Sequence, residues 1–212
     1  HIAILIKSAE IHELYDQKQP SKDKIKIAAN FYKIAAEMFH QYYLKGFYNK
    51  ELDEFVNQIN EGLLRTNLLL NEKREYSNIL NTIENNESQH LWKKFIDRHT
   101  ESISSINQES KKSYAQFSNL NFDIELFQKT LVENEVIIKY IVGEQNVYAF
   151  IIDQKNIELK KLSPTEDLQA LSKKYYQQII QFDKGFTASS KELHRQLILP
   201  LTLKKPEKVT FI

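Results

Sequence analysis

The chain predicts an α+β fold, in which an all-helical N-terminal arm with a repeat-like rhythm precedes a partial mixed α/β sheet. Three observations carry this reading. Up to about Ile96, apolar residues recur at helical spacing. A serine-rich stretch then breaks the rhythm. From Val136 onward, short runs of β-branched and aromatic residues alternate with turn residues, followed by two helical segments and one last short run. The expected organisation is a helical arm over residues 1–97, a linker or weakly packed helix over 98–121, and an α/β unit over 122–212.

The helices come first. "IAILIKSAEIHELY" opens the chain. Ser21 can cap "KDKIKIAANFYKIAAEMFHQYY", where Ala28, Phe31, Ala35 and Phe39 share a face. Asn49 can cap "KELDEFVNQINEGLLRTNLLL", with Leu52, Phe55, Val56, Ile59 and Leu63 on its stripe. A fourth helix, "EKREYSNILNTIENNESQHLWKKFI", groups Tyr76, Ile79, Leu80, Ile83 and Leu91. "DRHTESISSINQESKKSYAQFSN" has six serines and little apolar rhythm. Strands follow at Val136–Val142, Asn146–Asp153 and Ile157–Leu162, with turns at Gly143–Gln145 and Gln154–Asn156. Two helices are each announced by a capping box, Ser163 with Glu166 and Ser189 with Glu192, the first helped by Pro164 at the first helical position. "KVTFI" resumes as strand after Pro206. A strand needs a neighbour or a protected edge. Because the chain stops there, and because His1 opens directly into helix, the expectation is a piece of a longer protein.

Composition narrows the class. With 42% hydrophobic and 27% charged residues, four Gly and four Pro, the chain can bury a sizeable core. The longest apolar run, Val147 to Ile152, is far short of the ~20 residues a bilayer span requires. No basic segment leads into an apolar core and cleavage site. The expectation is a soluble, cytoplasmic protein with no membrane partner. The net charge is +1, and neither part, divided at Asp97, gathers the positive field that nucleic-acid binding needs, so no nucleic-acid partner is expected. The absence of cysteine excludes disulfides, thiolate zinc sites and a thiol nucleophile within these residues.

"FDIELFQKTLVENEVIIKYIVGEQNVYAFIIDQKNIELKKLSPTEDL", Phe122 to Leu168, resembles the opening of the CHAT domain, a caspase-like module commonly preceded by tetratricopeptide helices. Tyr140 and Gly143 hold the places of the family's "xxYxxG" strand end, and Tyr148, Phe150 and Ile152 those of its "xxYxFxI" strand. "SSKELHRQLILPL" is similar to its helix ending in "LxxPL", and "KVTFI" to the strand before its Pro-Asp-Gly turn. Ala28, Tyr32 and Ala35 match the A-x3-[FY]-x2-A of a tetratricopeptide helix. The Trp, Gly and Pro positions of that repeat are not filled, and no 34-residue self-similarity appears. The arm is therefore read as degenerate tetratricopeptide-like helices. "NTIENNESQHLWKKF" is similar to the family's Glu-x-x-Lys helix, with Glu87 in place of the lysine.

The resemblance implies a cysteine peptidase of the caspase–separase kind, with a His–Cys dyad at the C-terminal edge of the sheet. A thiol must be deprotonated by a neighbouring imidazole before it attacks a carbonyl. In the family both residues follow the Pro-Asp-Gly turn, so they are expected beyond Ile212, and no catalytic residue is assigned here. The chain is expected to be a regulatory or interaction arm with the non-catalytic front of such a domain, or, alternatively, a pure interaction scaffold. Protein partners or a peptide substrate would meet the helical arm, and no cofactor is expected.

Three rival readings are set aside. His194 sits inside a helix beside Leu193 and Leu197 and is read as a packing or surface residue, while His1, His12 and His99 have no nucleophile at motif distance. Glu37–His40 and Glu87–His90, with Glu10 and Glu61, form the inventory of a carboxylate-bridged metal bundle. At about 100° per residue, however, Glu37 and His40 point away from their helix's apolar stripe while Glu87 and His90 point into theirs, so no metal is expected. Phe31, Tyr32, Phe39, Tyr42, Tyr43, Phe47 and Tyr48 are read as core rather than as a groove. The Lys173–Lys174 and Lys204–Lys205 pairs are read as solvated charge.

Overall fold

The computed structural model describes residues 1–14, 21–44, 50–88, 122–203 and 206–212. The fold is α+β, with helices in the N-terminal part and the sheet in the C-terminal part. It divides into two compact units, His1–Ile124 and Glu125–Ile212. The 98–121 linker, Asn49, His90, His99, Phe47, Tyr48 and the Lys204–Lys205 pair lie outside the described residues.

The first unit contains α1 (Ile2–Leu14), α2 (Lys22–Leu44), α3 (Lys50–Leu70), a short 3₁₀ turn at Lys73–Glu75 and α4 over residues 76–88. Ala28, Tyr32, Ala35 and Phe39 of α2 are all buried, whereas Phe31 is only half-buried and stacks on His12 of α1, with ring centroids 5.8 Å apart. The small residues of α2 let helices approach closely, and Gly62 of α3 does the same from the other side. A Cβ there would lie 2.3 Å from the Tyr32 ring. Arg65 of α3 ties three helices together. Its Nε–H donates to Glu13 of α1, and its Nη2 donates to the Tyr32 hydroxyl at 3.1 Å. Burial, reinforced by the nearby Glu13 carboxylate, raises the Tyr32 pKa far above the usual phenol range.

The apolar stripe predicted for α3 proves too narrow. The helix is buried on every side near its middle, where Asn60, Glu61, Thr66 and Asn67 are enclosed along with Ile59, Leu63 and Leu64. Such burial is tolerable when polar groups find local acceptors. The Thr66 hydroxyl donates to the Gly62 carbonyl at 2.8 Å, and the Asn67 amide to the Leu63 carbonyl at 2.9 Å.

The second unit contains the short helix α5 (Ile124–Gln128, whose first residue belongs to the first unit), β1 (Glu135–Val142), β2 (Asn146–Ile152), β3 (Ile157–Pro164), α6 (Thr165–Ile180), α7 (Phe186–Leu197), a 3₁₀ turn at Leu199–Leu201 and β4 (Lys208–Phe211). The strand order is β3-β2-β1-β4. β1, β2 and β3 are antiparallel neighbours, and β4 returns through the helices to lie parallel to β1. Both predicted turns close tightly. Gly143 N–H donates to the Asn146 carbonyl, and Asp153 Oδ1 accepts the Lys155 and Asn156 amides at 2.7 and 2.8 Å. An ion pair from Lys208 to Glu135 joins the starts of the two parallel strands, and the Ile212 amide donates to the Ile138 carbonyl at 2.9 Å. On one face Ile138, Ala149 and Leu201 form a buried cluster with Val136, Tyr140 and Val209 against it.

Neither capping box forms. Ser163 belongs to β3, α6 starts at Thr165, and Pro164 occupies the cap position instead of the first helical turn. Pairing of Asn146 with Pro164 keeps the chain extended through Ser163. The Thr165 hydroxyl turns inward to the Gly143 carbonyl at 2.8 Å. Ser189 lies inside α7, buried, and donates to Gln178 Oε1 of α6 at 2.7 Å. Glu192 bonds Arg195 and Gln196 instead.

Candidate functional site

Among the described residues, the first unit has a cleft of about 440 Å³ between α2 and α4, lined in part by Leu63 of α3. α2 supplies Lys33, Ala36, Glu37 and His40, four positions on consecutive turns of one face. The 3₁₀ turn supplies Glu75. Lys33 Nζ donates to its carboxylate at 2.7 Å and holds the Glu75 pKa below the usual range. α4 supplies Asn78, Asn81, Thr82, Asn85 and Asn86.

The asparagines of α4 split into two rows. Asn81 and Asn85, four residues apart, accept main-chain N–H groups of the incoming segment. Ile124 N–H donates to Asn81 Oδ1 at 2.9 Å and Phe122 N–H to Asn85 Oδ1 at 2.7 Å. Asn78, Thr82 and Asn86, again four apart, form the second row. The Thr82 hydroxyl donates back to the Asn78 carbonyl at 2.8 Å. Asn86 is buried, and its Nδ2 has no acceptor among the described residues. Glu37 stands exposed on the opposite wall.

The residues weighed from sequence fall out as follows. Glu37 and His40 do lie off the buried face of α2, and together they line the cleft. Glu87 is half-buried, Glu10 pairs with Lys7 at 2.7 Å and Glu61 is buried within α3. No group of three or more His, Asp or Glu among the described residues could hold a metal ion. His194 is exposed on α7, His12 packs on Phe31, and His1 is exposed. Lys173 and Lys174 are exposed. The α4 amide rows were not singled out from sequence, although a signal existed. Asparagine is a poor helix former, so its recurrence at 78, 81, 85 and 86 within one helix marks positions chosen for their side chains.

In the second unit a hollow of about 370 Å³ is lined by Glu133, Asn134, Asp153, Gln154 and Lys155, among others. It lies where β1 and β4 begin, at the edge opposite to Val142 and Ile212. Gln154 Nε2 spans to the Leu131 carbonyl. No helix among the described residues is long and apolar enough to cross a membrane.

No family model matches the chain, and no curated protein or solved structure matches it.

Proposed function

We propose that the chain is the interaction arm and non-catalytic front half of a caspase-like (CHAT) cysteine peptidase, with the catalytic His and Cys following Ile212. The observation that carries this reading is the parallel seat of β4 on β1 after a two-helix crossover. In an open α/β sheet, chemistry gathers beyond the carboxyl ends of parallel strands. Here that edge is formed by Val142 and Ile212, which is the edge at which the resemblance expects the dyad. The chain contains no thiol, so its own contribution would be to position partners and support the strands. The test is expression with the residues that follow Ile212. The extended protein should cleave peptides and be labelled by thiol-directed reagents, and the 212-residue chain should do neither. A continuation with no histidine in a strand-end loop and no cysteine after the next strand would sink the peptidase reading.

The amide-lined cleft between α2 and α4 favours a second reading, an interaction scaffold without peptidase activity. Protein partners or a peptide meet the helical arm on either reading.

A further inference from the structure

We infer that the cleft between α2 and α4 binds an extended segment of a partner protein through its main chain, with a lysine or arginine of that segment against Glu37. This deepens the reading of the first unit as an interaction arm and rests on it.

The helix already holds main-chain groups in this way, at the residues that lead into α5. Asn81 and Asn85 accept the N–H groups of Ile124 and Phe122, alternate residues of a segment running antiparallel to α4. The two periods agree. Four residues of α-helix rise about 6 Å, and two residues of extended chain advance about 6.6 Å. Asparagines at four-residue intervals therefore stay in step with alternate peptide groups. Asn78, Thr82 and Asn86 repeat that interval on the neighbouring row, which lines the open cleft.

In the second row the Asn78 side chain already bonds the Glu75 carboxylate and the Thr82 hydroxyl bonds its own helix, which leaves Asn86. Asn86 Nδ2 is a buried donor with no acceptor among the described residues. A buried N–H without an acceptor is a standing cost to a fold, and a peptide carbonyl entering the cleft would remove it. Charge selects the side chain. The Lys33 ammonium is engaged by Glu75, and Glu37 makes no bond among the described residues, so the cleft is left with one uncompensated carboxylate. A basic residue complements it, and an acidic one is repelled.

Arrays of blocked peptides test this with the full chain as the probe, one set centred on lysine and one on glutamate within otherwise random sequence. The lysine-centred set should be retained preferentially. Glu37→Gln, a change on the exposed rim, should abolish the preference. Asn86→Leu should weaken retention of the best peptide about fivefold, the worth of roughly one hydrogen bond, while leaving the melting temperature unchanged or higher. Equal retention of both sets, or retention that neither substitution alters, overturns the inference. So does an Asn86→Leu variant that melts lower and binds as before, because Asn86 would then be structural. Peptidase activity of the extended protein in the absence of peptide retention removes this inference alone. Retention without activity removes the peptidase reading alone.

Discussion

The helical unit and the α/β unit each surround one element with the others, but by different means. In the first, most of α3 from Ile59 to Asn67 is enclosed, and Thr66 and Asn67 survive burial by bonding back to their own helix. In the second, the enclosed element is β2, where six of its seven residues are buried. A central strand satisfies its amides through ladders on both edges and needs no polar side chain to do so. The surrounding layers differ as well. α2 buries Tyr32 and Phe39 fully, whereas α6 buries only Thr165 and Leu168, α7 only Ser189, and Tyr176, Ile179, Ile180 and Phe182 stay exposed. The helical unit is thus held by side-chain interlock between helices. The α/β unit is held by its sheet, with the helices laid on lightly.

This contrast predicts two thermal transitions that single substitutions separate. The largest effect belongs to the sheet. Phe150→Ala removes a fully buried ring from β2 and should cost about 3–5 kcal/mol, lowering one calorimetric transition and leaving the other in place. Equal loss in both transitions would break the comparison.

Next comes Gly62→Ala. In a helix this exchange ordinarily stabilises by about 1 kcal/mol. Here the new methyl meets the immobile Tyr32 ring, and overpacking should instead destabilise by about 2 kcal/mol, visible in the helical transition alone.

Ser189→Ala should cost about 1 kcal/mol in the α/β transition, because a buried hydroxyl leaves Gln178 without its partner. A double-mutant cycle with Gln178→Ala should show coupling. Absence of coupling would show that the Ser189 hydroxyl does not stabilise the unit through Gln178.

Phe182 is almost fully exposed and sits at φ 54°, where a side chain is strained. Phe182→Gly should therefore stabilise the α/β unit by about 0.5–1 kcal/mol, read as a rise in its denaturation midpoint.

The smallest effect is on pH. Arg195 and Gln196 bring the Glu192 carboxyl down to about 2 from 4.5, Lys208 and the Val132 amide lower Glu135, and Lys33 lowers Glu75. A carboxyl whose folded pKa is depressed contributes fully above its unfolded pKa and loses that contribution as pH falls toward the folded one. Two of these groups lie in the α/β unit and one in the helical unit. Between pH 4.5 and 2 the α/β transition should consequently fall further than the helical one. Glu192→Gln should flatten its slope.

The sequence by itself determined what depends on neighbours along the chain. Helical spacing marked α3 at Lys50–Leu70, and β-branched runs with Gly143–Gln145 and Gln154–Asn156 between them marked three strands and their turns. Those signals are periodic or confined to a few residues, so they can be read without knowing what packs where. Tertiary structure decided the rest. Ser163-x-x-Glu166 has the pattern of a cap, but pairing with β2 holds Ser163 in a strand. Ser189-x-x-Glu192 has it too, but α7 begins three residues earlier, and Gln178 takes the hydroxyl. Asn60 and Glu61 look like solvent-facing residues on α3 until other helices enclose them. The cleft joins Lys33 and Glu37 of α2 to Asn86 of α4 and to Phe122, positions brought together only when the helices pack. A hydrogen-bonding side chain accepts any partner of suitable geometry, and which partner arrives is settled by the path of distant chain.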